Sequence, residues 1–193
     1  MPRHAQFPID PLFLNRWSPR AMSGETISDT ELFTLFEAAR WAPSSYNGQP
    51  WRFIFARRDT SSFKSFFSLL DEGNQAWCKN AAVLVLIASR KLFEYNGSPS
   101  ITHSFDTGSA WENLALQGSF KGLVVHGMQG FDYEKMAQLV QLPPEFVPEA
   151  MCAIGKPGPM SVLPPDVQKN EHQSDRKPLA ELVFEGKFGN KVL

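Results

Sequence analysis

The sequence predicts a single α+β domain spanning residues 1–193, with one sheet covered by helices. Three observations predict it. Apolar residues recur at helical spacing in two well-separated segments, 32–39 and 106–121. Val83 to Ile87 is a continuous apolar run of the kind found in strands buried on both faces. Helical and extended patterns alternate irregularly, with no internal repeat, which favours α+β over a strictly repeating βα unit.

The elements follow in order. Ser28-Asp29-Thr30-Glu31 is a capping box, in which the Ser28 hydroxyl and the Glu31 carboxylate satisfy the first N–H groups of a helix. Leu32, Leu35, Phe36 and Ala39 continue that helix, and Pro43 stops it. Trp51 to Ala56 reads as a strand. Ser62 to Leu70 reads as a short helix with Phe63, Phe66, Phe67 and Leu70 on one face. Val83 to Ile87 is the central strand, and Tyr95 to Ser100 is a loop. Asp106 to Lys121 is helical, and its small residues Gly108, Ala110, Ala115 and Gly118 permit close packing against another backbone. Leu123 to His126 is a strand, Gly127 to Gly130 a tight connection, and Asp132 caps a helix reaching about Val140. Ala150 to Ile154 is a strand. The stretch from Gly155 to Asp175 has little periodicity and carries Pro157, Pro159, Pro164 and Pro165; such a long irregular segment usually serves function. Leu179 to Phe184 reads as a further strand, giving about five in all.

Composition excludes several classes. The formal net charge is −1, which gives no electrostatic footprint for nucleic acid. Cys78 and Cys152 form no CxxC pair and join no His cluster, so zinc is not expected and a reduced, cytoplasmic protein is. The first residues carry no apolar stretch of signal-peptide type, and the longest apolar run, Ala81 to Ala88, is too short to span a bilayer. GxGxxG, Walker and GxSxG patterns are all missing. His4, His103, His126 and His172 sit in no triad context. With no nucleophile or metal cluster in view, any chemistry falls to a cofactor.

Four segments can recognise one. Pro43-Ser44-Ser45-Tyr46-Asn47-Gly48-Gln49-Pro50-Trp51 places hydroxyls and carboxamides in a loop between a helix and a strand. Such groups both donate and accept without charge, which suits a neutral heteroaromatic ring; an ordinary turn has a similar composition. Arg16, Ser18 and Arg20 alternate, so an extended backbone turns all three to one side, towards an anion or towards solvent. Asp175-Arg176-Lys177 adds positive charge near the other end. Gly127-Met128-Gln129-Gly130 offers backbone N–H groups at a strand end, or is a plain turn. The 16 Phe and 5 Trp are many for this length and serve a core, an interface or a flat-ligand pocket.

Taken together, these segments resemble the FMN-dependent nitroreductase family. The likeness runs in order from Arg16-x-Ser18-x-Arg20 through Ala38-Ala39-Arg40-Trp41-Ala42-Pro43 and the PSSxNxQPW run. It continues through Asp106-Thr107-Gly108 with Asn113-Leu114-x-Leu116-Gln117, then His126-Gly127-Met128-Gln129-Gly130-Phe131-Asp132. It ends with Ile154-Gly155-Lys156-Pro157-Gly158 and Arg176-Lys177-Pro178-Leu179. The resemblance implies a three-layer fold with a mostly antiparallel central sheet. It implies a homodimer with FMN at the interface, and NADH or NADPH as electron donor. Nitroaromatics, quinones or similar conjugated molecules would accept electrons in a ping-pong cycle.

By the same resemblance Arg16, Ser18, Arg20 and Arg176 hold the FMN phosphate and ribityl end. Pro43, Ser44, Ser45 and Asn47, with Gln49 in the same run, reach the flavin from the partner subunit. Gln129 and Gly130 lie beside the isoalloxazine ring, and Gln75 stands for the Lys or Asn that relatives place before the central strand. Trp111, Phe93, Tyr95 and Phe105 are candidate pocket residues, with core or interface packing as the alternative for each. This sequence departs from the pattern in two places. Gln129 replaces a common acidic residue, and the short segment from Lys91 to Thr102 implies an open pocket. A specialised flavoenzyme of the same fold (a dehalogenase or dehydrogenase), a non-catalytic flavin-binding sensor or store, and a domain that has lost FMN are the alternatives.

Overall fold

The computed structural model describes residues 3–193. In chain order the elements are α1 (Pro11–Asn15), α2 (Asp29–Arg40), β1 (Trp51–Arg57), α3 (Ser61–Ser68), α4 (Glu72–Cys78), β2 (Val83–Arg90), α5 (His103–Phe120), β3 (Val124–Met128), α6 (Tyr133–Leu139), β4 (Phe146–Gly155) and α7 (Pro165–Gln168). Short 3-10 turns lie at Ser45–Asn47, Met160–Val162 and Leu179–Glu181. The four strands form one sheet in the order β1-β2-β4-β3, and every pairing is antiparallel.

Helices cover both faces, giving three layers. Successive side chains of a strand point to opposite faces, and β2 divides its apolar residues accordingly. Leu84 and Leu86 pack with Phe63, Phe66, Trp77 and Met136 from α3, α4 and α6. Val83, Val85 and Ile87 pack with Leu32, Leu35 and Ala39 of α2 and with Ala110, Leu114 and Ala115 of α5. β2 is therefore apolar throughout because both faces are covered.

The expected capping box of α2 is present: Ser28 Oγ accepts from Glu31 N, and a Glu31 carboxylate oxygen accepts from Ser28 N at 2.7 Å. Helix α5 begins at His103, ahead of the expected Asp106, and β4 begins at Phe146, ahead of the expected Ala150. The short helix α4 was absent from the sequence reading; Asp71 caps it by accepting from Asn74 N. Leu179 to Phe184 is not a strand. Leu179–Glu181 form a 3-10 turn after Pro178, and Phe184 makes only an isolated bridge with Lys191. That segment meets no sheet edge, so Leu182 and Val183 stay about half exposed. Among the described residues no helix is long and apolar enough to cross a membrane.

Gly118 sets the distance between α5 and the sheet. A Cβ there would lie 2.4 Å from Val125 Cγ2. Replacing Gly by Ala inside a helix ordinarily gains about 1 kcal/mol. Here overpacking against a stiff, buried valine reverses the sign, so Gly118→Ala is expected to destabilise by about 1–3 kcal/mol. A lowered urea midpoint at unchanged m-value is the measurement that checks it; a raised midpoint contradicts this packing.

Candidate functional site

Two adjoining cavities open at one end of the sheet. One, of about 550 Å³, lies between the first half of α5 and the ends of β3 and β4; Thr107, Trp111, Met128, Gln129 and Glu149 are among its walls. The other, of about 400 Å³, is lined by Arg3, Arg16, Ser18, Arg20, His126 and Arg176, with Asn170, His172 and Ser174. Arg16 and Ser18 line both, so the two spaces are continuous in their walls.

The arginine cavity is built by the extended segment after α1. Arg16 ends α1 with its N–H on Leu12 O at 2.9 Å, then leaves in an extended conformation. Arg16 Nη1 donates to Ser18 Oγ at 3.4 Å. Arg176 reaches the same space from the C-terminal arm, donating to Ser174 Oγ at 3.2 Å. Arg3, which sequence reading missed, completes the group: it donates to Ser174 O at 2.7 Å, Leu14 O at 2.9 Å and Arg16 O at 2.8 Å. Burial pushes the Arg3 guanidinium below its usual value, and repulsion from Arg176 and Arg16 adds to the effect. Four arginines thus share one cavity. Two carboxylates offset part of this charge: Glu112 lies 3.6 Å from Arg16 Nε, and Glu171, which holds backbone N–H groups with one oxygen, has the other 3.8 Å from Arg20 Nη1. The arrangement suits a multiply charged anion, since planar guanidinium forks match phosphate oxygens.

The larger cavity carries unmet hydrogen-bonding capacity. Thr107 is buried, and its Oγ1 has no partner among the described residues. The N–H groups of Gln129 and Gly130 also donate to no acceptor among the described residues. Buried polar groups are normally paired, so Thr107 Oγ1 is ready to meet a ligand, and the more exposed Gln129 and Gly130 N–H groups can join it. Gly127 lets Trp111 lie against the strand, where a Cβ would come within 3.0 Å of Trp111 Cζ2. Gly130 faces α4: a Cβ there would clash with the Asp71 carboxylate at 1.8 Å, and its carbonyl accepts from Asn74 Nδ2 at 3.0 Å.

The structure brings Arg16, Ser18, Arg20, Arg176 and Gln129 into these walls and sets Gly130 beside them. It does not do so for Gln75. That amide is locked into the α3–α4 connection, donating to Phe67 O at 3.2 Å and Leu70 O at 2.8 Å. The helical phase of α4 instead turns the preceding Asn74 towards Gly130 and a small polar space shared with Arg20 and His126. Pro43, Ser44, Ser45, Asn47 and Gln49 line neither cavity. Their loop is fixed to its own chain by Ser45 N donating to Asp106 Oδ2 at 3.0 Å and Gln49 N donating to Ser44 Oγ at 3.0 Å. Of the aromatic candidates, Trp111 lines the larger cavity, and Phe93, Tyr95 and Phe105 do not. Neither cysteine supplies a thiolate, because burial pushes Cys78 up to about 12 and raises Cys152 as well.

Residues 14–62 and 55–156 match the family model described as the Nitroreductase family. The chain belongs to the nitroreductase family. An oxidoreductase whose crystal structure is described as containing FMN is 44% identical to this family member; the match covers 98% of this chain and 97% of that one with a TM-score of 0.93. Protein DrgA of Synechocystis sp. is 32% identical over 155 residues, covering 63% of this chain and 70% of DrgA. A Rhodopseudomonas palustris protein, provisionally named an NADH dehydrogenase/NAD(P)H nitroreductase, is 26% identical over 175 residues, covering 76% of this chain and 84% of that protein.

His126 links the cavity to stability. Its Nδ1 lies 2.9 Å from Pro19 O, and a carbonyl only accepts, so Nδ1 carries the proton. The ring packs 4.5 Å from Trp77, and burial holds its pKa below the ordinary 6.5. Above 6.5 the ring is neutral folded or unfolded and contributes no pH dependence. As pH falls below 6.5 the unfolded chain takes up the proton first, so stability drops towards the lowered folded value. Between about pH 7.5 and about pH 5.5 the urea midpoint of the native protein is expected to fall further than that of His126→Gln. Parallel profiles contradict the buried neutral ring.

Proposed function

We propose that this nitroreductase-family chain is an FMN-dependent NAD(P)H oxidoreductase acting on nitroaromatics, quinones or similar conjugated acceptors. The observation that carries the reading is the convergence of Arg3, Arg16, Arg20 and Arg176 with Ser18 on one cavity that shares two walls with a larger, partly apolar one. A phosphate monoester joined to a planar ring matches that pair of spaces. The unpartnered Thr107 Oγ1 and the free N–H groups of Gln129 and Gly130 match the polar rim of such a ring. The donor set therefore fits the group that the similar oxidoreductase contains.

In this reading Arg16, Arg176 and Arg3 bind the phosphate, with Ser18 oriented by Arg16. Arg16 and Arg20 each face one carboxylate, Glu112 at 3.6 Å and Glu171 at 3.8 Å; Glu112 is about half exposed and screened by solvent, whereas Glu171 is buried, so Arg20 is the more neutralised of the two and its pull on an anion is weaker. Gln129 and Gly130 present N–H groups to the ring edge, and Trp111 bounds the space from α5. Bound FMN would supply hydride-accepting and hydride-donating chemistry, taking electrons from NADH or NADPH and passing them to the acceptor. The chain's own contribution is positioning and fixed positive charge, which stabilises negative charge on a reduced ring.

The same reading gives the 43–49 loop a role across a homodimer. Tyr46 is 82% exposed, Trp41 72%, Phe105 79% and Ile101 94%, an apolar surface around the loop and the start of α5. Exposed aromatics of this kind are enriched where chains associate. Sedimentation at micromolar concentration is expected to give a dimer mass, and Phe105→Asp to shift it towards monomer. A stable native monomer overturns this assembly.

An anaerobic visible spectrum, recorded before and after NADH or NADPH, tests the activity. A flavin band that bleaches supports the reductase, and no band after incubation with FMN overturns it. Arg16→Ala is expected to weaken FMN binding by about 1.5–3 kcal/mol, the range for hydrogen bonds to charged groups. Arg20→Ala should cost less, and the ratio of the two dissociation constants measures the screening by Glu171.

A further inference from the structure

Residues 3–10 belong to no helix or strand and start at the arginine cavity, which Arg3 lines. From Arg3 to Ile9 no main-chain group bonds to another main-chain group among the described residues, and His4 to Asp10 are all exposed. Asp10 caps α1 by accepting from Leu12 N at 2.8 Å, which fixes the far end of the segment. Side chains hold the rest. Arg3 donates to Ser174 O, Leu14 O and Arg16 O, and Gln6 Oε1 accepts from Leu179 N at 2.8 Å. Phe7 and Ile9 line a further cavity of about 500 Å³ with Phe13, Leu179 and Leu182, and remain 53% and 50% exposed. Exposed main chain and unfilled apolar packing mark a segment that opens locally at low cost.

Arg3 is the tie that also belongs to the candidate site. It lines the arginine cavity beside Arg16, Arg20 and Arg176, and its Nη2 donates to no acceptor among the described residues. Burial works against its charge, repulsion from Arg176 and Arg16 adds to this, and Asp175 offsets only part of the sum. Closing the segment sets a third guanidinium against two others. A multiply charged anion in the cavity turns that repulsion into attraction. An anion that favours the closed segment is itself held more tightly by it, since coupling between two equilibria is reciprocal.

We propose that residues 3–10 are a strap that a phosphate group in the arginine cavity locks closed through Arg3, and that the closed strap retains the ligand. Arg3 is a positioning residue for the strap as well as a contact for the anion. Naming FMN as the carrier of the phosphate rests on the oxidoreductase reading above; the strap needs only the phosphate.

A nitroxide on Ala5→Cys reports the strap, because Cys78 and Cys152 are buried and leave the new thiol as the reactive one. The label is followed in dialysed full-length protein as chloride is replaced by inorganic phosphate at equal ionic strength and pH. The ratio of mobile to immobile spectrum is expected to fall about fivefold or more, the lower end of ordinary coupling between sites. Saturating FMN is expected to do the same, and riboflavin, which has the ring without the phosphate, to leave the ratio unchanged. In Arg3→Ala with the same label the mobile spectrum is expected to dominate, with saturating FMN as without it. A ratio that neither inorganic phosphate nor FMN changes overturns the proposal, whatever the variant does. So does immobilisation by riboflavin, or immobilisation by FMN that survives Arg3→Ala. The strap and the oxidoreductase reading fail separately. A flavin band that bleaches beside an unchanged ratio removes the strap and keeps the oxidoreductase. A protein with no flavin band whose label is still immobilised by inorganic phosphate keeps the strap and loses the oxidoreductase.

Discussion

Glu171 is buried, and its Oε1 accepts from Arg20 N at 2.7 Å and Ala21 N at 2.9 Å. That pair of hydrogen bonds ties the arginine-bearing segment near the N-terminus to the C-terminal arm. Next to it the two stretches close as a short ladder: Ser23 N donates to Lys156 O, Gly158 N donates to Ala21 O, both at 3.0 Å, and Met22 bridges Pro157. Gly158 permits this approach, since a Cβ there would lie 2.6 Å from the Met22 carbonyl carbon. Without Glu171 two part-buried N–H groups would lose a charged acceptor, and unmet buried donors cost about 1–3 kcal/mol each. The arginine cavity exists because this join is made; the arginines themselves repel one another and would not assemble alone.

The sheet decides where the second cavity opens. Gly118 lets α5 come close to β3 near the helix C-terminus, and Trp111 holds the two apart nearer the site. β3 is shorter than β4, so its ladder ends at the Met128–Met151 pair and β4 runs on without it. Gln129 and Gly130 then leave the ladder with N–H groups that donate to no acceptor among the described residues. Strand length, one glycine and one indole together shape this space, and the end of the strand gives it polar edges.

Much of this was legible in the sequence, for reasons that are local. The α2 capping box is a four-residue signal, the apolar run of β2 reflects burial on both faces, and Arg16, Ser18 and Arg20 share a side because extended backbone alternates. What was hidden depends on contacts distant in sequence. Arg3 meets Ser174, Glu171 meets Arg20, and Glu149 meets Ser89; none has a local pattern. Gln75 lies outside both cavities because α4 is short and starts at its Asp71 cap, a phase that turns Asn74 towards Gly130 instead. β4 has a bulge at Glu149 that leaves no mark in alternation, because Pro148 and Ala150 flank it without distinguishing the faces. The extended reading of 179–184 weighed β-propensity without a neighbouring strand to receive it.

The 43–49 loop carries more order than its own chain requires. Tyr46, Asn47 and Gln49 all have positive φ, at 51°, 52° and 44°, a region that L side chains enter only when the surroundings hold them there. Hydrogen bonds from Gln49 N to Ser44 Oγ and from Ser45 N to Asp106 hold the loop, and Tyr46 leans edge-on against Phe93 at 5.8 Å. Yet Pro43, Asn47 and Gln49 point their polar and apolar surface outward, away from both cavities of the same chain. Strain maintained in an exposed loop suggests a partner outside the chain. In the proposed homodimer that partner is the cavity of the second copy. Each subunit would then supply the charge that anchors one ligand and the carboxamide loop that covers the other. Such a division would make pairing a condition of a complete site, and it accounts for positive-φ residues kept on a loop whose Pro43, Asn47 and Gln49 face outward.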